Sequence, residues 1–363
     1  MSQQRKGRFV RATKTAGDRT PTVSVVIPCY NYARYLPQAV HSVLDQKGVQ
    51  IQVIIVDDCS TDDSLEVARG LANQCEQVQV VQNPKNRGPV YTFNHGLDQV
   101  TGEFLVRLDA DDLLTPGALR RAADVCIANP GVGLVYGHPL HFQDGSLPPS
   151  RSHVSGWSLW KGLDWVEERC RSGFNVITSP EAFMRMSVVN QIGGQRELEH
   201  GHDMEMWLRI ASVSDVAYIR NADQAWHRDH DLSLSAQRID IAGDLLERWK
   251  VFAALFDSMP EGGDRIRAMR NVAAQTLIHE GLGKLESELN LGLPDTQLFD
   301  SLAAAVQQMS LNPGQKERLD DLRRQASSPV RRTGRELPTL CRRAYRRLRW
   351  EYRQRHWRTF GVY

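Results

Sequence analysis

The sequence lacks any run approaching the roughly 18 consecutive apolar residues of a spanning helix, so no transmembrane segment is expected. Its start, MSQQRKGRFVRATKTAGDRT, lacks the apolar centre of a signal peptide and reads as a solvated, disordered basic leader. Cysteine is sparse. Cys29, Cys59, Cys75, Cys126, Cys170 and Cys341 have no C-x-x-C spacing and no ordered histidine partners, which speaks against a zinc site or a disulfide framework and fits a reducing cytosol. Internal repeats are absent, and the only biased segment is the Arg-rich end.

What is present supports a sizeable core: 363 residues, 41% of them hydrophobic, suffice for two domains or for one α/β domain with a helical appendage. The net charge of +2 conceals an asymmetry, because residues 331–363 hold eleven Arg against Glu336 and Glu351. One surface is thereby suited to anionic partners.

TVSVVIPCYN and VQIQVIIVDDCS are near-continuous apolar runs closed by polar residues, the signature of strands covered on both faces. Between them Leu36, Ala39, Val40, Val43 and Leu44 recur at helical spacing. The series continues with a helix through Leu65 to Leu71, a strand VQVVQN, a helix PVYTFNHGLDQV and a strand in EFLVRLDADD. Such alternation predicts an α/β fold with a mainly parallel sheet, whose ligands collect beyond the carboxyl ends of the strands. WVEERCRS and HDMEMWLRIASV read as helices, VGLVYGHPL and FNVITSPEAFMR as strands, and residues from about 239 onward as a small helical bundle.

Two strand ends are acidic: Asp57 with Asp58, and Asp109 with Asp111 and Asp112. Crowded carboxylates repel one another unless solvated or neutralised, and Mg²⁺ or Mn²⁺ is the hard partner for oxygen ligands. A carboxylate cannot grip a nucleotide diphosphate directly, since both are anions. It can accept from a uracil N–H or a ribose hydroxyl, or hold a cation that neutralises the phosphates. The first pair suits base and sugar, the second the metal. Between them, in NPKNRGPV, Arg87 can donate to a base carbonyl or phosphate and Gly88 permits a tight turn.

Four ordered blocks, VSVVIPCYNYARYLPQAVHSVLDQ, QVIIVDDCSTDDS, VVQNPKNRGP and GEFLVRLDADD, resemble family 2 glycosyltransferases of the GT-A fold, and the likeness runs from about Thr22 to Ser235. The resemblance implies an inverting, metal-dependent transferase of hexosyltransferase type that uses a nucleotide sugar, with UDP favoured. It places Pro28 and Tyr30 beside the base, Asp57 or Asp58 on uracil or ribose, and Arg87 on base or phosphate. Asp109 and Asp111 match the D-x-D that carries Mn²⁺ or Mg²⁺ and the diphosphate. EHGHDMEMWLRIAS resembles the block holding the general base, here Asp203, with His202 and Glu205 as weaker choices. In AWHRDHDLSLS the resemblance implies His230 as a further metal ligand and Arg228 as an offset to the leaving charge. Family members often carry Gly where this chain has Cys59, a departure expected to alter packing rather than chemistry.

Blander readings accompany each residue. Asp203 could be a helix N-cap, His230 a packed histidine, and Arg87 half of a surface ion pair. The aspartates could belong to a receiver-like domain, although LDADD stands where such a domain carries a lone Asp. Trp157, Trp160 and Trp165 read as core or lid packing, or more sharply as a platform for a sugar ring. Tyr91 and His95 read as helix packing.

The expected divisions are the leader over 1–20, a GT-A domain over 21–238, a helical region over 239–328 and an amphipathic tail over 329–363. In that tail Cys341, Tyr345, Leu348 and Tyr352 share a helical stripe near Trp350, Trp357 and Phe360, which suits an anionic membrane surface; no nucleic acid is expected. The acceptor expected is a glycan or lipid-linked hydroxyl in cell-surface polysaccharide synthesis, in the cytoplasm or peripherally at the inner face of the membrane. A non-catalytic nucleotide-sugar sensor or scaffold and a nucleotidyltransferase are the rival readings.

Overall fold

The computed structural model describes residues 7–12, 19–230, 240–259, 263–290, 296–327 and 356–361. Its first element corrects the sequence reading. Within the expected leader, Arg8–Arg11 forms β1, antiparallel to β8 (Gly156–Trp160) at the edge of the sheet. Four residues inside a basic run are too short a pattern to stand out, yet Arg220 stacks on the Phe9 ring at 4.8 Å and joins this strand to the sheet.

The apolar runs then become β2 (Thr22–Cys29), β3 (Gln50–Asp57), β4 (Val78–Gln82) and β5 (Phe104–Arg107), parallel in the order β5-β2-β3-β4. Val25, Val26, Ile27, Ile54, Ile55 and Val56 are fully buried. Helices α1 (Leu36–Leu44), α2 (Ser64–Gln74) and α3 (Pro89–Leu97) connect these strands. In α1 the buried positions are Leu36, Ala39, Val40 and Val43, and its proline sits in the first turn, where no backbone donor is required. Asp57, Asp58 and Asp109 emerge at the carboxyl edge of these strands.

After α4 (Ala118–Ala128), α5 (Gly162–Ser172), α6 (Met186–Ile192) and α7 (His202–Val213) are interleaved with the remaining strands. β7 (Val132–Phe142) lies parallel to β10 (Asp215–Arg228), while β6 (Leu113–Leu114) and β8 pair with β10 antiparallel. Short β9 (Phe183–Arg185) is antiparallel to both β5 and β7 and splices the two halves. In the order β1-β8-β10-β7-β9-β5-β2-β3-β4 the sheet is thus mixed from β1 to β9 and parallel from β5 to β4. Of FNVITSPEAFMR, expected as a strand, only the last three residues are one. Side chains take the backbone donors ahead of it: Asn175 accepts from Ile177 at 3.1 Å and Glu181 from Thr178 at 2.6 Å, which favours a loop.

The helical region comprises α8 (Ile241–Ser258), α9 (Asp264–Asn290), α10 (Thr296–Gln307) and α11 (Pro313–Ala326). Leu245, Leu277, Leu285 and Val306 share one apolar cluster with Trp165 of α5 and Trp207 of α7, so these helices complete the core on one face of the sheet. Where α5 meets α7 the contact is backbone on backbone: a Cβ added at Gly162 would fall 1.8 Å from the Ala211 carbonyl oxygen.

A short helix over 356–360, α12, returns to the sheet. Trp357 is buried and its Nε1 donates to the Val176 carbonyl at 3.1 Å, while the Tyr136 hydroxyl donates to the Gly361 carbonyl at 2.6 Å. Trp357 and Phe360 were expected to support a lipid-facing stripe, but they pack on the protein instead, with Arg220 over the Phe360 ring at 5.1 Å. Cys341, Tyr345, Leu348, Trp350 and Tyr352 lie outside the described residues. Trp157, Trp160 and Trp165 are all buried, which makes them core and not a sugar platform. Among the described residues no helix is long and apolar enough to cross a membrane.

Candidate active site

The adjacent aspartates after β3 do different work. Asp58 is filled by the chain itself: Oδ1 accepts from the Asn83 amide at 2.7 Å and the Arg87 N–H at 2.8 Å, and Oδ2 accepts from the Gly88 N–H at 2.8 Å. It folds the NPKNRGP loop, with Gly88 at φ 83°. Asp57 is 1% exposed; its Oδ2 accepts from the Ser60 N–H at 3.2 Å, while Oδ1 is buried with no partner among the described residues. An unfilled buried acceptor costs about 1–3 kcal/mol. Asp57 Oδ1 is therefore the atom of this pair left for a donor on a ligand, such as a base N–H or a ribose hydroxyl.

Around it, Arg87 stacks on the Tyr91 ring at 4.1 Å and has no carboxylate partner among the described residues. Pro28 is the penultimate residue of β2, and Tyr30 is 41% exposed. Cys59 adopts φ 59°. That left-handed backbone explains the glycine preference at this position, so conformation and not packing is what the departure changes.

After β5, Asp109, Asp111 and Asp112 diverge. Asp111 Oδ2 lies 2.7 Å from His230 Nε2, and the ring of His230 rests near Tyr35, centroid to centroid 5.3 Å. Asp112 turns inward at 1% exposure, where it accepts from the His227 ring at 3.0 Å and from the Arg228 N–H at 2.8 Å. Burial pushes the Asp112 carboxyl up to about 6 against the pull of His227. Burial lowers His227, but the hydrogen bond and charge of Asp112 prevail and raise it to about 9. Arg228, expected to offset the leaving charge, is instead 4% exposed and committed behind the loop. It donates to the Asp111 carbonyl at 3.0 Å, to Asp144 at 2.7 Å and to Gln38 at 2.8 Å.

The centre of the site is Arg107, the last residue of β5, which is 5% exposed. One guanidinium nitrogen lies 2.9 Å from Asp109 Oδ1 and the other 3.1 Å from Asp203 Oδ2, so a single cation joins the D-x-D to the start of α7. Asp203 is the second residue of α7 and makes no cap; Gly201 holds that position. It also accepts from Ser179 Oγ and Gln195 Nε2, and His202 Nε2 stands 3.7 Å away. Burial would raise its carboxyl, but Arg107, then His202, Ser179 and Gln195, hold it below the usual range. An ionised carboxylate with one edge supported is a proton acceptor. Glu205 cannot compete: it is fully buried and paired with Arg209 at 2.8 Å and Arg196 at 3.1 Å.

Asp109 behaves oppositely. Burial raises it, and Asp111 and Asp203 add to that despite Arg107. Asp109 and Asp111, with the His230 imidazole 2.7 Å from Asp111, are the oxygen and nitrogen donors at this strand end that could hold Mn²⁺ or Mg²⁺.

The sequence reading missed Arg107, Ser179 and Gln195. An Arg at a strand end reads as surface, and only the approach of residues 72 to 96 positions later makes it central. The one local signal is backbone: Ser179 sits at φ 110°, strain that clusters at functional sites.

Residues 24–193 match the family described as glycosyl transferase family 2. The putative teichuronic acid biosynthesis glycosyltransferase TuaG of Bacillus subtilis is 33% identical over 218 residues, 60% of this chain and 83% of that protein. The GalNAc(5)-diNAcBac-PP-undecaprenol beta-1,3-glucosyltransferase of Campylobacter jejuni is 29% identical over 60% of this chain and 69% of its own length. An uncharacterized glycosyltransferase of Nostoc is 40% identical over 124 residues, 34% of this chain and only 38% of its length. In structure, Staphylococcus aureus TarS 1-349 with UDP-GlcNAc superposes with a TM-score of 0.61 at 18% identity, covering 84% of this chain and 88% of that one. The mannosyltransferase PcManGT of Pyrobaculum calidifontis, with GDP-Man and Mn²⁺, gives 0.53 at 17% identity, over 86% and 82%. By the family match and the likeness to TuaG over most of that protein's length, the chain belongs to glycosyltransferase family 2, and its sheet and flanking helices have the GT-A fold of the solved neighbours.

Proposed function

We propose that this chain is an inverting, Mn²⁺- or Mg²⁺-dependent glycosyltransferase that moves a hexose from a nucleotide diphosphate, UDP favoured, to a hydroxyl of a glycan or lipid-linked acceptor. The observation that carries this reading is Arg107 bonded at once to Asp109 and Asp203, because it sets the donor-phosphate end and the base end of one reaction a guanidinium's width apart.

In this reading Asp57 Oδ1 accepts from the base or ribose, Arg87 donates to base or phosphate, and Pro28 and Tyr30 flank the ring. Asp58 acts indirectly, by holding the loop of Arg87. Asp109, Asp111 and His230 would hold the cation, whose charge would offset that of the departing diphosphate. Asp203 takes the proton of the acceptor hydroxyl while that oxygen attacks the anomeric carbon opposite the leaving group, so configuration inverts. The relatives named for teichuronic acid and for an undecaprenol-linked glycan support an acceptor in surface polysaccharide assembly. The solved neighbours with UDP-GlcNAc and with GDP-Man and Mn²⁺ support the donor class and the cation. Such work fits a cytoplasmic enzyme held peripherally at the membrane by its basic tail, with no role for nucleic acid.

The test is a screen of nucleotide sugars for thermal stabilisation with and without Mn²⁺, followed by nucleoside diphosphate release. Asp203→Asn should retain donor binding and lose turnover. Binding without turnover in the unaltered chain would instead identify a sensor, and pyrophosphate formed from a nucleoside triphosphate would identify a nucleotidyltransferase.

A further inference from the structure

A second group of metal-binding side chains lies where β7 and β10 run out. The two strands are parallel neighbours, with His141 directly opposite His227. Asp229 follows His227 by two positions, and along an extended chain residues two apart share a face. His141 Nδ1 is 3.1 Å from Asp229 Oδ1, His227 Nε2 is 4.0 Å from the same oxygen, and the imidazole centroids are 5.1 Å apart. One donor atom from each of the three residues falls within 4.8 Å of the others.

The independent feature is behind the cluster. Asp112, 1% exposed, accepts from His227 Nδ1 at 3.0 Å, and its other oxygen accepts from the Arg228 N–H at 2.8 Å. The ring is thereby fixed with Nε2 turned towards Asp229. A buried carboxylate behind a ligating imidazole is the usual outer support of a zinc site: it sets the tautomer and raises the basicity of the ligand.

We propose that His141, His227 and Asp229 form a zinc(II) site distinct from the D-x-D. Two imidazoles and one carboxylate suit a borderline first-row ion better than Mg²⁺, which prefers all-oxygen shells. Zinc–ligand distances of about 2.0–2.2 Å require the three donors to draw in by a fraction of an ångström to about 1.5 Å. His141 and Asp229 are half exposed, with room on the solvent side to adjust, whereas His227 is held by Asp112. Three protein ligands leave a fourth position for water. The ion ties the ends of two strands together and fixes the backbone on both sides of Arg228. That backbone presents His230 to Asp111, so zinc stiffens the D-x-D cleft from outside it. The histidines are 86 residues apart, which is why no local spacing announces the site.

The test is calorimetric titration of the chelator-treated full chain with Zn²⁺, alongside the Asp111→Asn, His141→Ala and Asp229→Asn variants. One zinc equivalent should persist in Asp111→Asn. In His141→Ala and in Asp229→Asn affinity should fall by at least about tenfold, while Mn²⁺ binding stays unchanged. Both altered side chains are half exposed, so folding is not at issue, and a thermal melt of each variant verifies it. Zinc affinity within about threefold of the parent in either variant, or a parent dissociation constant weaker than about 10 µM, would overturn the proposal.

Discussion

Replacing Arg107 with Met keeps most of the side chain's volume and removes its charge, leaving Asp109 and Asp203 to face each other. At the observed 3.1 Å the Arg107–Asp203 attraction is about 5 kcal/mol for an effective dielectric of about 20. Solvent screens it little, since the side chains are only 6% and 17% exposed. Ser179 and Gln195 continue to donate to Asp203, so part of the support survives. Loss of even half the attraction strengthens proton binding at Asp203 well over tenfold. The sign follows: burial already pushes this carboxyl up and Arg107 is the chief influence holding it down, so its removal moves the acid limb of kcat/KM to higher pH. The alkaline limb stays. Stability falls as well, by about 3–5 kcal/mol for an uncompensated buried charge, so circular dichroism at the assay temperature must accompany the kinetics. Nucleoside diphosphate release measured across a pH series is the assay, and Arg107→Lys should recover much of the shift. An unmoved acid limb in folded Arg107→Met would refute the electrostatic role. So would a shift that Lys leaves uncorrected.

Three further outcomes are expected. Ser179→Gly releases the φ 110° strain and should gain up to about 1 kcal/mol in a denaturant titration while kcat drops about tenfold, because Asp203 loses a hydrogen bond; unchanged kcat would deny Ser179 a positioning role. Cys59→Gly should stabilise by about 0.5–1 kcal/mol, since φ 59° costs a side-chain-bearing residue more than it costs glycine; destabilisation would contradict this. Burial acts to raise Asp223, but hydrogen bonds from His138 and Arg151 hold it far below the usual range. Its stabilisation is therefore complete above the ordinary aspartate value and lost as pH falls through the folded one, so Asp223→Asn should unfold at higher pH in an acid titration and lose about 2–3 kcal/mol near neutrality.

The parallel half of the sheet was legible because β2, β3 and β5 are buried on both faces, and unbroken apolar runs follow from that. Asp57 and Asp109 were legible because each ends such a run. What could not be read is whatever depends on distant chain. Asp57 and Asp58 are indistinguishable as letters; only the fold of Asn83 to Gly88 back onto one of them separates a loop holder from an open acceptor. Asp112 looks like a third member of the D-x-D cluster until His227, 115 residues later, turns it inward. β1 needed its partner β8, and Trp357 its seat beneath Val176, before either ceased to look like solvated basic sequence.

Gly162 reaches further than its size implies. Its missing methyl lets the first turn of α5 press against the last turn of α7, and α7 carries Asp203 at its opposite tip. Even a methyl at position 162 would meet the Ala211 and Ser214 carbonyl oxygens at 1.8 and 2.0 Å, so α7 would have to shift bodily to admit it, and Asp203 would move with the helix although no atom of the cleft had been exchanged.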